Sequence, residues 1–521
     1  MAFSVPFAFG RLVPVSAPAL PIAVLDEKLD QELEKGEEFQ PIFVRFEDQV
    51  FPRGGDYEKF AAANENRKRS DLRREILGAL KSKAERSYAS VSSEIEDLVR
   101  KGWLRQVSQF WIVNGFAADA RPEASKALAA RADVAYVYLQ RSPGGFRQNR
   151  PPATAPSPSG PLYEATKKVE ESSGNSPVQS GATLPWNLTR IAADKAWAEG
   201  ARGQGIVVAI NDGGVDPVPA LRPAFWRNPK ESLNGKDDDG NGYIDDRFGY
   251  DFRTDSGHVF GGSGQFHGTM CAGIVAGRPA GDPLIQTGVA PEAKIMVLNG
   301  MGFLKNFEYA LANGADVISM SWMWINIDLG HYRGVFRLAL EHLAAAGVVP
   351  VGGAGNFATS APEGKQIALP KDIPCCLSVA GIQADGKRPA FSSKGPVSWK
   401  GVKFYDDYPE LQKPDFSAPN GQLPVWVLAA GLPDRGWKTE WSGKEGESLI
   451  TGPQGNSFAG PHAAGVAALV LSANRELTPW QIEKILEETC EDLETPGWDK
   501  ESGAGLINAH RAVMKAMSIK K

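Results

Sequence analysis

The spacing of apolar residues divides the chain into two regions of different character. Between residues 40 and 140, Pro41–Phe46 and Val134–Leu139 have the pattern of β-strands, and Asp71–Ala84 carries its apolar side chains at helical spacing. The same region contains a helical pattern over Glu94–Lys101, a β-rich run, Phe110–Val113, within Val107–Phe116, and a short helical pattern over Pro122–Ala132. This order predicts a small α+β domain, an open-faced sandwich, over residues 40–140.

From residue 184 to residue 517 the apolar residues form continuous runs. Such runs are typical of parallel strands that are buried on both faces. They lie at Gly205–Ile210, Lys294–Leu298, Asp316–Met320, Val348–Val351 and Leu377–Ala380, and helical patterns such as Val335–Ala346 separate several of them. The pattern predicts an α/β fold with a doubly wound parallel sheet, in which active groups lie at the carboxyl ends of the strands.

Residues 141–183, which join the two regions, are rich in Pro, Ser, Gly and charge. A segment of this composition buries too little apolar surface to offset the entropy of ordering, so we expect a flexible linker that proteases can cut. We expect residues 1–39 to form a leader. Its apolar part, Met1–Val24, lacks a positive N-terminal region and contains Arg11, so it is either a poor signal peptide or an irregular segment.

Composition narrows the range of partners. A net charge of −5 offers no basic field for nucleic acid, and no stretch approaches the roughly 18 uninterrupted apolar residues of a membrane-spanning helix. Four cysteines in 521 residues cannot form a disulfide scaffold, so they do not decide the compartment. We therefore expect a globular monomer without nucleic-acid or membrane partners.

Candidate chemistry comes from polar residues that follow predicted strands or precede predicted helices. They are Asp212 after the strand at Gly205–Ile210, His267 before a run of small residues, Asn356 after Val348–Val351, and Ser457 before the apolar run Ala463–Leu471. Acyl transfer needs this set, because Ser457 can attack, His267 can take and return its proton, and Asp212 can orient the imidazolium. The Asn356 amide and the Ser457 N–H would hold the oxyanion, and Pro461 is expected in the first turn of the helix.

At these residues the chain resembles the subtilisin-like serine proteases, the subtilase family. The order Asp, His, Asn, Ser matches, as does the surrounding sequence at His267–Thr269, Ala354–Asn356, Lys413–Pro419 and Gly455–His462. The resemblance runs from about residue 184 to the C-terminus. It implies a serine endopeptidase with protein or peptide substrates and a secreted or cell-envelope location. It also implies a substrate groove lined by Ser321, Trp322, Met323, Gly353 and Ala354.

The chain departs from the usual subtilase pattern at four positions. Asn456 and Phe458 stand where the family usually has Thr and Met around the serine, and Gly213 stands where it has Asp, Ser or Thr. Met323 replaces a Gly whose absent side chain leaves room for an extended substrate. Because Met323 and Phe458 would crowd the groove, one alternative is a weak or inactive subtilase that binds proteins. A peptide-maturing transacylase, which would use the same acyl-enzyme, is the other alternative.

A second motif occupies residues 237–246. Asp237, Asp239, Asn241, the Tyr243 carbonyl and Asp245 offer oxygen atoms at alternating positions, as the first half of an EF-hand loop does around Ca²⁺. The glutamate expected at the twelfth position of such a loop is absent. The alternative is an acidic solvated loop, but subtilases commonly carry structural calcium, so we expect a Ca²⁺ site here.

The N-terminal region resembles the inhibitory propeptides of subtilases in its size, element order and position. The resemblance implies a zymogen in which residues 40–140 are the protein's own propeptide and act as an intramolecular inhibitor. The segment that follows the strand Val134–Leu139 would then enter the groove. A plain accessory domain is the alternative.

Overall fold

The computed structural model describes residues 24–35, 38–141, 161–171, 181–260, 266–280, 284–428, 435–493 and 495–520. The strands are β1 Val24–Leu25, β2 Gln40–Phe46, β3 Leu104–Phe110, β4 Gly115–Ala120, β5 Val134–Leu139, β6 Val207–Asp212, β7 Gly249–Asp251, β8 Lys294–Asn299, β9 Val317–Met320, β10 Val349–Gly353, β11 Leu377–Ile382, β12 Phe416–Pro419, β13 Val425–Leu428, β14 Lys438–Ser442 and β15 Glu447–Thr451. The helices are α1 Glu27–Glu34, α2 Asp56–Ala63, α3 Arg69–Arg100, α4 Pro122–Ala129, α5 Pro161–Glu171, α6 Trp186–Arg190, α7 Ala193–Ala198, α8 Phe266–Ala276, α9 Leu304–Ala312, α10 Arg333–Ala345, α11 Asn456–Ala473, α12 Pro479–Thr489 and α13 Ala509–Ser518.

The N-terminal sheet has the strand order β1-β5-β2-β4-β3. Its central strand β2 runs antiparallel to both β4 and β5, and the short β1 runs parallel to β5. Side chains of α1, α3 and α4 cover one face of the sheet, where they pack on Ile42, Val44 and Phe116. The other face contributes Phe43 and Tyr138 to a core that it shares with the C-terminal region. The sheet therefore has helices of its own region on one face and contacts the C-terminal region with the other face.

Two of the predicted elements in this region differ from the structure. The helical patterns at Asp71–Ala84 and Glu94–Lys101 belong to one helix of 32 residues, α3, because residues 85–93 contain neither Gly nor Pro. The β-rich run Phe110–Val113 is not a strand. β3 ends at Phe110, and the chain reverses over residues 111–114, where Asn114 has a left-handed backbone with a φ of 37°.

The C-terminal sheet confirms the predicted doubly wound parallel architecture. Its strand order is β12-β11-β10-β9-β6-β8-β7, and every neighbouring pair is parallel. Alternate residues of β6 point to opposite faces, so Ile210 packs in the core with α8 and α11, and Ala209 packs in the core with α9 and α10. The strand order reverses between β6 and β9, and the carboxyl ends of strands at such a switch point are the usual place for a ligand site.

The prediction that residues 141–183 form a flexible linker is wrong for residues 161–171, which form a helix. This helix is α5, and its Val169 is buried in the main core beneath the parallel sheet. Glu170 accepts a hydrogen bond from Arg247 at 2.6 Å. Buried side chains and ion pairs from Glu170 and Lys168 therefore dock a segment whose overall composition is polar.

The leader predicted over residues 1–39 is wrong for residues 24–35, because β1 pairs with β5 and α1 packs on the N-terminal sheet. Residues 1–23 and 36–37, and the rest of the linker between residues 142 and 180, lie outside the described residues. Among the described residues, no helix combines the length and apolar character needed to cross a membrane.

The two regions meet where the N-terminal sheet packs on α9 and α10. Glu308 of α9 accepts the N–H of Trp111 at 2.5 Å and of Ile112 at 3.1 Å, so its carboxylate holds the turn after β3. Arg69, which begins α3, donates to Asp316 at 2.8 Å in a buried ion pair. The interface thus combines aromatic packing with polar groups that are paired across it.

His342 of α10 is the most constrained of these polar groups. Its Nε2 accepts the N–H of Phe51 at 3.3 Å, and its Nδ1 donates to the carbonyl of Ile112 at 2.5 Å. The side chain is fully buried, and burial lowers the pKa of His342 to about 3. The docked arrangement therefore requires a neutral imidazole.

Acid should weaken the fold through His342. Since its pKa is lower in the folded chain than the usual 6.5, its contribution is present above pH 6.5 and is lost as the pH falls toward 3. We expect roughly 2 kcal/mol of the free energy of unfolding to disappear between pH 7 and pH 4.5 through this group. His342→Gln keeps a donor and an acceptor but does not titrate, so it should lose correspondingly less. Urea unfolding at both pH values measures the difference, and equal losses in the two proteins would contradict the prediction.

Candidate active site

The carboxyl end of β6 places Asp212 against His267 at the start of α8. The Asp212 carboxylate accepts the N–H of Gly213 at 2.7 Å and is 2.9 Å from His267 Nδ1. Helix α8 reaches this position because Gly268 has no side chain. A Cβ there would lie 2.1 Å from the carbonyl oxygen of Gly214. The sequence His-Gly thus brings the imidazole directly onto the loop that follows β6.

The ionisation of His267 is set by its surroundings. Burial lowers the pKa of the imidazole, but the Asp212 charge and its hydrogen bond outweigh burial, and the net effect raises the pKa above its usual value of 6.5. The charge of Lys371 works against this rise. An imidazole with these neighbours can accept a proton and hold it next to a carboxylate.

Ser457 lies in the first turn of α11, which begins at Asn456. Gly455 precedes the helix with a φ of 149°, and a Cβ there would lie 3.1 Å from the Asn356 amide nitrogen. The first amides of a helix have no partner within it, so the N–H of Ser457 is available to a ligand. The glycine turn therefore brings a helix N-terminus and a side-chain amide together.

Pro461 lies in the second turn of α11, whereas the sequence predicted it in the first turn. Proline has no N–H to donate to the carbonyl four residues earlier, which is that of Ser457. This carbonyl instead accepts from Ser321 Oγ at 2.8 Å and from Cys271 Sγ at 3.4 Å. The proline thus frees a backbone group of Ser457, and two neighbouring segments use it to fix the serine between β9 and α8.

The side chain of Asn356 has a divided role. Its Oδ1 accepts the N–H of Asn456 at 2.8 Å, and its Nδ2 donates to no other group among the described residues. Among the residues that the structure describes, Ser457 Oγ donates a hydrogen bond to the Ser321 carbonyl at 3.4 Å and not to His267. Long or missing bonds between reacting groups are common before a substrate is bound.

The residues predicted to line the groove fall into two groups. Trp322 is buried, and its indole donates to Asn211 at 2.8 Å, so the ring stabilises the end of β6 instead of facing the groove. Gly353 and Ala354 are also buried, and a Cβ on Gly353 would lie 1.9 Å from the Asn456 carbonyl oxygen. Ser321 and Met323 are partly exposed at the end of β9.

Phe458 does not crowd the groove. Its side chain is 4% exposed and packs in a cluster with Met270, Ile274 and Val425. Helical geometry explains this direction, because Phe458 follows Ser457 by one residue and therefore points away from it. Of the two departures expected to narrow the groove, only Met323 remains in a position to do so.

The acidic loop brings together part of the predicted metal set. Oxygens of Asp237 and Asp239 lie within 4.8 Å of each other and of a carboxylate oxygen of Glu231. Asn241 accepts the N–H of Tyr243 and donates to Asp246 at 3.0 Å. Asp245 is turned to a different part of the loop. Its carboxylate accepts the N–H groups of Asn234 and Gly235.

Glu231 was missed by the sequence analysis because it precedes the acidic motif by six residues. It is 3% exposed, and its Oε1 accepts the N–H groups of Asp238 and Asp239. Its Oε2 is buried without a hydrogen-bond partner in the described part of the chain. Burial raises the pKa of Glu231. A buried carboxylate oxygen left open beside two further carboxylates fits a hard cation such as Ca²⁺.

Two further residues near the Asp212–His267 pair were also missed. Cys271 follows His267 by one helical turn, so the i, i+4 spacing could have indicated it. Lys371 is buried over the Trp322 ring, and burial lowers its pKa to about 7. No local pattern indicated Lys371, because it comes from a loop far along the chain. All four cysteines are free.

Comparisons with known proteins agree with the fold and the motifs. The profile of the peptidase S8 family, described as the Subtilase family, matches residues 203–505. Bacillopeptidase F of Bacillus subtilis is 27% identical over 481 residues, which cover 87% of this chain and 29% of that protein. The calcium-dependent protease of Nostoc sp. is 29% identical over 286 residues, which cover 49% of this chain and 41% of that protein.

Among solved structures, fervidolysin from Fervidobacterium pennivorans, described as a keratinolytic enzyme related to subtilisin, matches with a TM-score of 0.55 and 20% identity. The match covers 95% of this chain and 63% of that one, and it establishes a shared fold. The chain spans less than two thirds of the length of each of these three proteins. Because the family profile matches more than half of the sequence, the chain belongs to the subtilase family.

Proposed function

We propose that the chain is a serine endopeptidase in which Ser457 is the nucleophile, His267 the general base and acid, and Asp212 the group that orients the imidazole. The observation that carries the proposal is the Asp212–His267 contact of 2.9 Å, at a helix that also contacts the Ser457 backbone. The raised pKa of His267 suits a residue that must receive a proton beside a carboxylate.

In this proposal His267 removes the hydroxyl proton as Ser457 Oγ attacks the peptide carbonyl. The negative charge that develops on the carbonyl oxygen is stabilised by the Ser457 N–H and the Asn356 Nδ2, neither of which donates to another group among the described residues. His267 then gives the proton to the leaving amine, and an acyl-enzyme remains on Ser457. Water attacks the ester by the same route in reverse and releases the carboxylic acid.

We further propose that residues 40–140 are an inhibitory propeptide. β5 ends at Leu139, and the chain then runs to Arg141, which donates to the carbonyl of Asp328 at 3.3 Å. Asp328 belongs to the segment that follows Ser321–Trp324, so the chain leaves the N-terminal sheet toward the groove. A strand delivered there by a docked domain would compete with a substrate.

We also propose that Glu231, Asp237 and Asp239 hold a structural Ca²⁺. The support is the open, buried Oε2 of Glu231 and the three carboxylates, which repel one another unless a cation lies between them. Bound calcium would supply that charge and hold Glu231 against the acidic loop. The residues Asn241, Tyr243 and Asp245 would support the loop rather than complete the site.

Ser457→Ala should abolish both peptide hydrolysis and self-cleavage, because alanine has no hydroxyl oxygen to attack the peptide carbonyl. Intact mass over time in the presence of calcium should show loss of an N-terminal fragment in the wild type only. A fluorophosphonate should label the wild type at Ser457. Ser472→Ala, on the same helix, should behave as the wild type. Turnover that persists in Ser457→Ala would overturn the assignment.

Asn356→Asp should lower kcat by about a hundredfold or more and change KM little. The substitution keeps the oxygen that accepts the Asn456 N–H but replaces the donor with a second oxygen. Steady-state kinetics on a chromogenic peptide, with an unfolding curve as the control for stability, measures the effect. A variant with nearly full kcat would show that the amide does not bind the oxyanion.

Calcium should raise the melting temperature, since a ligand that binds only the folded state at a hundred times its Kd adds about 2.7 kcal/mol to the free energy of unfolding. Glu231→Gln should remove most of this effect, although its amide oxygen can still accept the N–H groups of the loop. Asp407→Asn, an exposed carboxylate elsewhere, is the control and should keep the full effect. Calorimetry with calcium and with chelator tests this, and an unchanged response in Glu231→Gln would contradict the site.

A further inference from the structure

The four residues after β9, Ser321–Trp324, are organised by two tryptophans. The rings of Trp322 and Trp324 lie 5.4 Å apart on the same side of the segment. Trp322 donates its indole N–H to Asn211, and the ring of Trp324 packs edge-on against Phe336 with centroids 4.9 Å apart. Both tryptophans therefore anchor the segment to the core behind the groove.

Trp324 is held firmly on this buried side. A Cβ on Gly302 would lie 1.9 Å from its ring, so the indole fills a space that exists only because residue 302 is glycine. The backbone N–H of Trp324 also donates to the Leu369 carbonyl at 3.0 Å. Since both neighbours of Met323 point inward, the side chain of Met323 must point to the opposite side.

On that opposite side Met323 reaches across to the end of β10. Its Cε lies 3.1 Å from the position of a Cβ on Gly355. The methionine also packs on a small cluster of buried apolar side chains, Ala354, Ile367 and Val397. The thioether thus occupies the space between the segments that follow β9 and β10.

This space is where a substrate side chain has to enter. Gly355 precedes Asn356, whose amide would bind the carbonyl oxygen under attack, and Ser321 contacts Ser457 through two hydrogen bonds. The side chain of the residue that carries this carbonyl begins only two bonds from the carbonyl carbon. It must therefore pass between Ser321–Met323 on one side and Gly353–Asn356 on the other.

We propose that Met323 limits the residue before the scissile bond to a small side chain, such as that of Ala, Ser or Gly. The inference rests on the proposed peptidase function and gives it a substrate class. A large aromatic side chain would have to displace the thioether from Ala354 and Gly355, and the anchored tryptophans keep the backbone of the segment from moving aside. A small side chain fits beside the methionine without this displacement.

The test compares two chromogenic tetrapeptide p-nitroanilides that differ only in the residue before the anilide, Ala or Phe. The full chain is incubated with calcium, and a fluorophosphonate titration gives the concentration of active sites. We expect the wild type to cleave the Ala peptide with a kcat/KM at least about tenfold higher than the Phe peptide. Met323→Gly should raise the ratio of kcat/KM for the Phe peptide to kcat/KM for the Ala peptide about 10- to 100-fold.

Met323→Leu, which keeps an apolar side chain of similar volume, is the matched control and should retain the preference for Ala. If Ser457 is not labelled and neither peptide is cleaved, the proposed function fails, and the inference fails with it. If Ser457 is labelled but the wild type cleaves the Phe peptide as well as the Ala peptide, only the inference is wrong. An unchanged ratio in Met323→Gly would overturn it in the same way.

Discussion

Direct backbone contact between two helices and the carboxyl ends of the parallel strands is the constraint on which the candidate site depends. Helix α11 approaches β10 so closely that a Cβ on Gly460 would lie 2.7 Å from the Gly353 nitrogen. Helix α8 makes the corresponding approach to the loop after β6 through Gly268. Since glycine alone permits these distances, the positions of Ser457 and His267 are fixed by main-chain packing. Long, flexible side chains are not needed to bring the two groups together.

The main outline of the site could be predicted from sequence because each group lies in a local pattern. Asp212 ends an apolar run, and Ser457 and His267 each precede a run of small residues, so a parallel sheet brings their ends to one edge. The doubly wound sheet could be predicted for the same reason, since buried parallel strands differ in sequence from exposed ones. The turn of α11 in which Pro461 lies could not be predicted, because the local pattern is the same whether the helix begins one turn earlier or later.

Partners that come from distant parts of the chain leave no such pattern. Glu308 resembles a solvent-facing residue of a helix, and only the docking of the turn after β3 makes it a buried acceptor. The same holds for Glu231, whose carboxylate faces a loop that the helical and strand periodicities do not describe. In both cases the carboxylate is buried because backbone N–H groups of another segment need an acceptor. Sequence patterns report which face of an element is apolar, but they do not report which polar residue will satisfy a neighbour.

The structure explains why Asn456 stands where the subtilase family usually has Thr. The side chain is fully buried, its Oδ1 accepts from Asn420 at 2.9 Å, and its Nδ2 donates to the Gly355 carbonyl at 2.8 Å and to Ser392 at 2.9 Å. A buried amide is costly unless these bonds are made, and the single donor of a threonine hydroxyl could serve only one of the two acceptors. The backbone N–H of the same residue binds the Asn356 oxygen. Asn456 therefore holds both the Gly355 carbonyl and the Asn356 side chain, and it orients the Asn356 amide toward the helix that carries Ser457.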